Sequence, residues 1–177
     1  MDSEFSRAIA VVSLDGEGER FDIEADARER AAVAARLGVL AVDRLEASVV
    51  LVPVVAGRIV RLEGTVRARV VQRCVVSLLP VDAVIEEAFS VVYSRDVVDE
   101  PETAVCIDLD EAASPEPLPG DRIDVGEAVT QQLALALDSY PRRPDAVPPA
   151  VPGAEALTDV DDGSGGFAAL GALKTSK

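Results

Sequence analysis

The order of apolar and polar side chains predicts a series of β-strands in the first half of the chain. Residues 46–55 (EASVVLVPVV) are almost continuously apolar, and residues 65–74 alternate apolar with charged positions, as half-buried strands do. Gly64 indicates a turn or a bulge between two of the strands. The predicted strands lie at residues 5–14, 46–55, 58–62, 65–78 and 85–94. Their succession predicts an antiparallel meander or a partial barrel.

A first helix is predicted by its capping residues. Asp26 and Glu29 have the spacing of a capping box, in which each residue satisfies a backbone N–H of the other. Alanine-rich sequence follows as far as Leu37, and Gly38 suits the left-handed position just beyond a helix C-terminus.

A second helix is predicted further along the chain. Asp124 and Glu127 repeat the capping-box spacing, and we expect the helix to run to about residue 137. Its apolar positions recur every four residues and form one stripe, which consists of Val125, Val129, Leu133 and Leu137. Two helices packed on an antiparallel sheet place the chain in the α+β class.

Changes in composition divide the chain into three parts. We expect one α+β domain over residues 1–140, with an acidic loop at 96–123. Residues 96–127 hold eleven acids and one base, for a net charge of −10, together with four prolines. Residues 141–166 are rich in proline and glycine and predict a flexible, disordered linker. The last part, 167–177, is a short apolar motif that predicts partner binding through Phe167, Leu170 and Leu173, or else a flap that returns to the domain.

Composition excludes several kinds of chemistry. The chain has no histidine, which rules out a Ser-His-Asp or Cys-His mechanism and any histidine-ligated metal site. Its two cysteines are too few for a four-cysteine zinc site. We therefore predict a protein that is not an enzyme, with no catalytic residues, no metal, no cofactor and no small-molecule substrate.

The same composition predicts a cytoplasmic protein. No apolar run reaches the roughly 18 residues of a transmembrane helix, so no membrane association is expected. The acidic start, Met1 to Glu4, lacks the basic and apolar regions of a signal peptide. In a chain without an export signal, Cys74 and Cys106 are expected to be reduced and buried.

The most unusual feature of the charge pattern is a segment rich in arginine. The chain carries a formal charge of −15, yet residues 58–73 contain five arginines and one acid, Glu63. Within this segment Arg67, Arg69 and Arg73 fall on the same side of a strand, with neighbours about 6–7 Å apart, close to the phosphate repeat of a nucleic-acid strand. We therefore predict an RNA-binding face there. The alternative is that these arginines form solvated ion pairs across the sheet or with the acidic stretch.

Other candidate residues carry weaker signals. Arg142 and Arg143 follow Tyr140 at the end of the second helix and are added to the predicted RNA-binding residues, although cations there also complement the helix dipole. Asp108 and Asp110 offer oxygen ligands for Mg²⁺ but lack recognisable partner residues. Cys74 has the parity of the apolar face, which predicts a packed thiol rather than a nucleophile.

Several segments, taken in order, resemble the YceD family of large ribosomal RNA subunit accumulation proteins. They run from residue 5 to residue 143 and include the last ten residues. The densest is VQRCVVSLLPV at residues 71–81. The others are ER at 29–30, RLG at 36–38, EGTVRA at 63–68, EEAF at 86–89, IDVGE at 123–127, LALALDSYPR at 133–142, FAAL at 167–170 and LK at 173–174. Some family members carry a cysteine pair around the Gln-Arg-Cys motif, and here Val71 replaces the first. Gln131 and Ser139 also depart mildly from the pattern.

The resemblance implies a bacterial cytoplasmic, non-catalytic factor that supports 23S ribosomal RNA processing and large-subunit assembly. With the arginines, it predicts binding of 23S rRNA or its precursor. The alternative is an acidic escort that holds a basic ribosomal protein through the acidic loop and the C-terminal motif. A third reading, a Mg²⁺-dependent ribonuclease at Asp108 and Asp110, fits the sequence least well.

Overall fold

A computed structural model describes residues 3–14, 17–55, 58–95, 115–118 and 120–148. The chain divides into two compact units, Met1–Pro144 and Asp145–Lys177. The predicted C-terminal motif, most of the predicted linker and most of the acidic loop lie outside the described residues, as do Cys106, Asp108 and Asp110.

The first unit is an α+β domain built on a five-stranded sheet. The strands of the whole domain are β1 (Ala8–Ala10), β2 (Glu19–Glu24), β3 (Ala41–Val55), β4 (Ile59–Arg73), β5 (Pro80–Ser94), β6 (Glu116–Pro117) and β7 (Arg122–Asp124). The main sheet has the order β2-β3-β4-β5-β6 and is antiparallel except for the parallel pairing of β5 with β6. Strands β1 and β7 form a separate antiparallel pair. The prediction of an α+β fold with an antiparallel meander is confirmed, and the sheet is not closed into a barrel.

The central strand β4 is longer and more regular than predicted. It runs without a break from Ile59 to Arg73, so the expected turn or bulge at Gly64 is wrong. Glycine is required there for a different reason, because a Cβ at Gly64 would lie 2.7 Å from the backbone oxygen of Ser48 on β3. The strand ends at Arg73 rather than residue 78, since residues 74–79 form a turn closed by a 2.8 Å hydrogen bond from Cys74 N to Leu79 O.

The predictions were least accurate near the N-terminus. Only Ala8–Ala10 of the predicted strand 5–14 is extended, and a single 3₁₀ turn follows at Val11–Ser13. Strand β2 was not predicted, although Phe21 and Ile23 alternate with polar residues there. Strands β3 and β5 begin five residues earlier than expected. The first residues of both strands include polar side chains on the solvent side, which interrupt the apolar pattern.

The first helix, α1 (Ala27–Leu37), confirms its capping signals. The Asp26 carboxylate accepts hydrogen bonds from the backbone N–H of Arg28 and Glu29 at 2.7 and 2.8 Å. The Glu29 carboxylate accepts from the backbone N–H of Asp26 at 2.8 Å, which completes the capping box. Gly38 ends the helix with a φ of 67°, in the left-handed region that glycine enters without steric cost. An N-terminal cap such as Asp26 stabilises a helix by about 1 kcal/mol.

The second helix, α2 (Val125–Ala136), begins where it was predicted but has only half of the expected capping box. Asp124 accepts a hydrogen bond from the backbone N–H of Glu127 at 3.2 Å. The Glu127 carboxylate instead binds Arg36 of α1 at 2.6 Å and Ser3 at 2.8 Å. These contacts lower the pKa of Glu127 from 4.5 to about 2, with Arg36 as the main cause. This carboxylate therefore ties α2 to α1 and to the N-terminal segment.

The hydrophobic core lies between the two helices and one face of the sheet. Helix α1 packs on β3, and α2 packs on β4 and β5. The largest side chains that are fully buried are Phe5, Leu45, Leu51, Leu62, Ile123 and Leu133. Full burial of one leucine contributes about 1.5–3 kcal/mol, so this layer supplies most of the driving force for folding. In the described part of the chain, neither helix is long and apolar enough to cross a membrane.

Candidate nucleic-acid interface

Strand β4 places the predicted arginines together on one surface. Val66, Ala68 and Val70 are buried in the core, whereas Arg67, Arg69 and Arg73 are exposed on the opposite face. We call this opposite face the outer face of the sheet. The period-2 prediction that these three arginines share a surface is therefore confirmed.

Much of the outer face is neutralised by its own carboxylates. Arg67 on β4 binds Glu86, its direct neighbour on β5, at 2.8 Å. Three other arginines of this face each pair with a carboxylate two residues further along the same strand. These pairs are Arg20–Asp22 at 3.6 Å, Arg44–Glu46 at 2.7 Å and Arg61–Glu63 at 3.3 Å. We call these four pairs the paired half of the outer face, and the sequence-based alternative of ion pairs across the sheet applies to the Arg67–Glu86 pair.

Two arginines of β4 differ from this pattern. Within the described ranges, Arg69 and Arg73 have no ion pair, and both side chains are exposed. The residue directly opposite Arg69 on β3 is another arginine, Arg44, so like charges face each other there. Asp82 lies opposite Val71, between the two arginines, and forms no ion pair within the same ranges. Positive charge is therefore concentrated where β4 ends.

A shallow pocket of about 370 Å³ lies beside this cationic region. Its lining consists of Asp43, Arg44, Arg67, Ala68, Arg69, Val84, Ile85 and Glu86. A second pocket of about 310 Å³ lies towards β2, and its charged lining is mostly acidic: Asp22, Glu24, Glu46 and Arg67. The outer face thus changes from acidic at the β2 edge to basic towards the end of β4, which favours an anionic ligand only at the latter.

The segment after α2 brings further cations to the same end of β4. Gln72 Nε2 donates a hydrogen bond to the backbone oxygen of Asp138 at 2.9 Å. Val75 N donates to the backbone oxygen of Pro141, also at 2.9 Å. Residues 138–141 therefore run alongside residues 72–75, and the exposed Arg142 follows directly after this segment. We call Arg69, Arg73 and Arg142 the open end of the outer face.

Arg143 is less available than Arg142. Its side chain is half-buried, and its backbone N–H points to the sulfur of Cys74 at 3.5 Å. The backbone of Arg143 thus helps to hold the open end together. This residue was predicted as an RNA contact, and the structure gives it a structural contact as well.

Cys74 lies under the open end in a polar environment. It is fully buried, as predicted, but it lies outside the apolar cluster of the core. The pKa of its thiol is lowered to about 6, first by the Ser77 hydroxyl beside it and then by the backbone N–H of Ser77 at 3.3 Å. The buried Ser77 hydroxyl oxygen has no hydrogen-bond partner in the described part of the chain. These contacts anchor the turn after β4.

The turn between β4 and β5 exposes apolar side chains that were not recognised in the sequence. Val75, Leu78 and Leu79 are 43%, 64% and 51% exposed, and Tyr140 beside them is 72% exposed. Leu78 has a φ of 61°, a left-handed conformation that is uncommon for a leucine. The available signal was the apolar run VVSLL at residues 75–79, but burial on the sheet explained it equally well.

No group of side chains in the described ranges could hold a metal ion with three or more histidine, cysteine or acidic ligands. The open end therefore offers cations, an aromatic ring and aliphatic side chains as its means of recognition.

Comparison with protein-family models identifies the family of this chain. The family model described as "Large ribosomal RNA subunit accumulation protein YceD" matches residues 62–174, well over half of the chain. The chain belongs to the YceD family. Neither the curated proteins nor the solved structures compared with the chain gave a match.

The YceD match covers the residues of the open end. It begins at Leu62 within β4 and includes Arg67, Arg69 and Arg73, the turn after β4, all of α2 and Arg142. Residues 5–61, which were also read as similar to the family, lie before the matched range. The YceD segment thus contains every predicted site residue, including the C-terminal motif outside the described residues.

Proposed function

We propose that this protein supports the accumulation of large-subunit ribosomal RNA by binding 23S rRNA or its precursor through the open end of the outer face. The observation that carries this proposal is the location of the unpaired arginines. A chain of net charge −15 leaves Arg69 and Arg73 without acidic partners in its described part, and both lie in the segment matched by the YceD family.

The charge distribution favours a small and directional contact. An acidic protein repels RNA over most of its surface, and a local cationic region then restricts the orientation in which RNA can approach. Few phosphates are neutralised, so affinity should be modest and should fall with added salt. Arg67 contributes less than its neighbours, because RNA must compete with Glu86 for its guanidinium.

A binding role fits this chain better than a catalytic one. The sequence has no histidine, which is the commonest general acid or base in proteins. We accordingly propose a non-catalytic cytoplasmic factor that acts in 23S rRNA processing or in large-subunit assembly.

Co-purification of RNA from cells tests the proposal. A variant with Arg67, Arg69 and Arg73 each replaced by Glu should lose 23S rRNA, because the replaced side chains would repel phosphate. The control replaces Arg20, Arg28 and Arg61 by Glu, which gives the same net charge while sparing the open end. RNA recovery that stays unchanged in the first variant, or falls equally in both, contradicts the proposal.

A second candidate is the acidic escort of a basic ribosomal protein. It is favoured by the extent of the family match, which continues to residue 174 and so includes Phe167, Leu170 and Leu173. Deleting residues 160–177 should then abolish partner capture while RNA recovery stays at the level of the full chain. Loss of RNA on this deletion would argue that the tail contributes to the RNA contact instead.

A further inference from the structure

The aromatic ring at the open end suggests a more specific ligand than a phosphate backbone. The chain has only two tyrosines, and they differ strongly in solvent exposure. Tyr93 is 8% exposed and belongs to the core, whereas Tyr140 is 72% exposed. An aromatic ring held in solvent contributes little to folding, because most of its apolar surface stays hydrated.

The backbone around Tyr140 is fixed although its ring is exposed. The residues on either side are tied to β4 and to its turn, by the 2.9 Å bonds from Gln72 to Asp138 and from Val75 to Pro141. The backbone N–H of Tyr140 itself donates to the Asp138 carboxylate at 2.8 Å. The ring is therefore presented from a pre-organised segment, which reduces the entropy lost on binding.

The same two hydrogen bonds bracket Arg73. Gln72 and Val75 flank Arg73 in β4 and its turn, as Asp138 and Pro141 flank Tyr140, so Arg73 and Tyr140 lie on adjacent chain segments. Arg142 follows two residues after the ring and is also exposed. Proteins bind single-stranded nucleic acid with exposed aromatic rings and nearby arginines, since bases stack on the ring and arginines contact the phosphates.

The turn beside the ring adds an apolar surface. Val75 and Leu79 are about half exposed, and Leu78 projects into solvent from a left-handed backbone conformation. Such conformations are costly for leucine and are retained where the surrounding structure over-determines them, often at ligand sites. The faces of unpaired bases are apolar and fit such a surface, whereas the bases of a duplex are stacked on one another and are not available.

We propose that Tyr140, together with Arg142 two residues further on and Arg73 on the adjacent segment, forms a stacking site for an unpaired nucleotide of RNA. This inference rests on the proposed function and narrows it from RNA in general to single-stranded segments such as loops, bulges or ends. An apolar partner protein is the competing occupant of this surface. The two exposed arginines favour RNA, because both carry the charge that phosphates require.

Binding of two defined RNAs to the full chain tests the proposal. The probes are a fluorescein-labelled 12-nucleotide oligouridylate and a 12-base-pair RNA duplex, measured by fluorescence anisotropy at low salt. Tyr140→Ala should weaken oligouridylate binding about 5- to 100-fold, the range that corresponds to loss of one stacked base, and should change duplex binding less than about twofold. Tyr140→Phe should retain oligouridylate binding within about twofold, since it keeps the ring. Leu135→Ala is the matched control, because Leu135 is 78% exposed on α2.

A direct readout comes from ¹⁹F NMR of protein that contains 3-fluorotyrosine. The spectrum should show two signals, and oligouridylate should shift only the signal that Tyr140→Phe removes. Tyr140→Ala with unchanged oligouridylate binding, or an unshifted Tyr140 signal, overturns the inference. Retained RNA recovery with loss of a co-purifying protein in Tyr140→Ala would also overturn it and assign the surface to protein docking.

The outcomes separate this inference from the proposed function. If Arg69→Glu/Arg73→Glu abolishes binding of both RNAs while Tyr140→Ala affects neither, only the stacking site is wrong. If the wild-type chain binds neither RNA at low salt, both proposals are wrong.

Discussion

The two ends of the outer face contain the same type of side chain in different electrostatic settings. In the paired half each arginine has a carboxylate partner within 4 Å, whereas at the open end Arg69 and Arg73 have none among the described residues. An arginine-rich strand is therefore not a uniform cationic surface. Its capacity to bind an anion depends on carboxylates two residues away on the same strand, as at Arg61, and on residues of the neighbouring strands, as at Arg67, which the register of the sheet reveals.

The strongest test of this comparison is a pair of double variants. Arg69→Glu/Arg73→Glu should weaken RNA binding about 30-fold or more, since two phosphate contacts become repulsive. Arg61→Glu/Arg67→Glu has the same net charge and should weaken it less than about fivefold. Affinities measured over a range of salt should also show a shallower dependence only for the first variant. Equal losses in the two variants would show that the two ends do not differ.

The ion pairs of the paired half should contribute little to stability, in contrast to the pair of Arg36 with Glu127. Glu127→Gln should lower the free energy of unfolding by about 1–2 kcal/mol at pH 7, because it removes a charge held by Arg36 and Ser3. Glu86→Gln should change it by less than about 0.5 kcal/mol, since both partners of that pair are largely exposed. Urea unfolding measures both values.

The pH dependence follows from the direction of the shift. The pKa of Glu127 in the folded state, about 2, lies below its usual value of 4.5, so its contribution to stability is complete above about pH 5 and is lost as the pH falls towards 2. In Glu127→Gln the loss of stability over this range should be smaller. Parallel pH curves for the two proteins would contradict the assignment.

A smaller effect on stability is expected from the left-handed conformation of Leu78 in the turn after β4. Leu78→Asn should raise the free energy of unfolding by up to about 1 kcal/mol, because asparagine enters the left-handed region at lower cost. A clear loss of stability would mean that the exposed Leu78 side chain contributes to folding. Thermal unfolding measures the change, and Leu135→Asn serves as the control for removing an exposed leucine from a helix.

The smallest expected effect on RNA binding comes from removing the charge of Glu86, which pairs with the guanidinium of Arg67. Glu86→Gln frees the guanidinium of Arg67 and should strengthen RNA binding about two- to threefold, which extends the open end into the paired half. Asp82→Asn, at the open end itself, should have an effect of similar sign. Weaker binding in both variants would indicate that these carboxylates position the arginines instead of neutralising them.

The sequence allowed the fold to be predicted where the signal was local. The capping box at Asp26 and the apolar stripe of α2 depend on residues within one or two turns, and the structure confirms both. The shared face of Arg67, Arg69 and Arg73 follows from the alternation of a single strand. Features that depend on distant residues were missed or misread. Gly64 predicts a turn when only its neighbours in sequence are considered. The reason for the glycine is its close contact with Ser48 on another strand, which the sequence does not show.

The same distinction applies to the candidate site. The partner of Arg67 is 19 residues away on β5, and the hydrogen bond from Gln72 to Asp138, which brings the segment of Tyr140 alongside the end of β4, joins residues 66 positions apart. Neither proximity can be derived from spacing along the chain. Arg44, which faces Arg69, was not considered for the same reason, because the bulge between Val42 and Arg44 sets which residue of β3 lies opposite.

The tight approach of β3 and β4 at Gly64 has a practical consequence for genetics. The atom nearest to an added Cβ is a backbone oxygen, which cannot move aside as a flexible side chain would. Gly64→Ala or Gly64→Ser would separate β3 and β4 near their midpoint while leaving every arginine in place. Such alleles should act normally at low growth temperature and fail at high temperature. They would allow the protein to be inactivated during growth, so that the level of large-subunit ribosomal RNA could be followed from the moment of its loss.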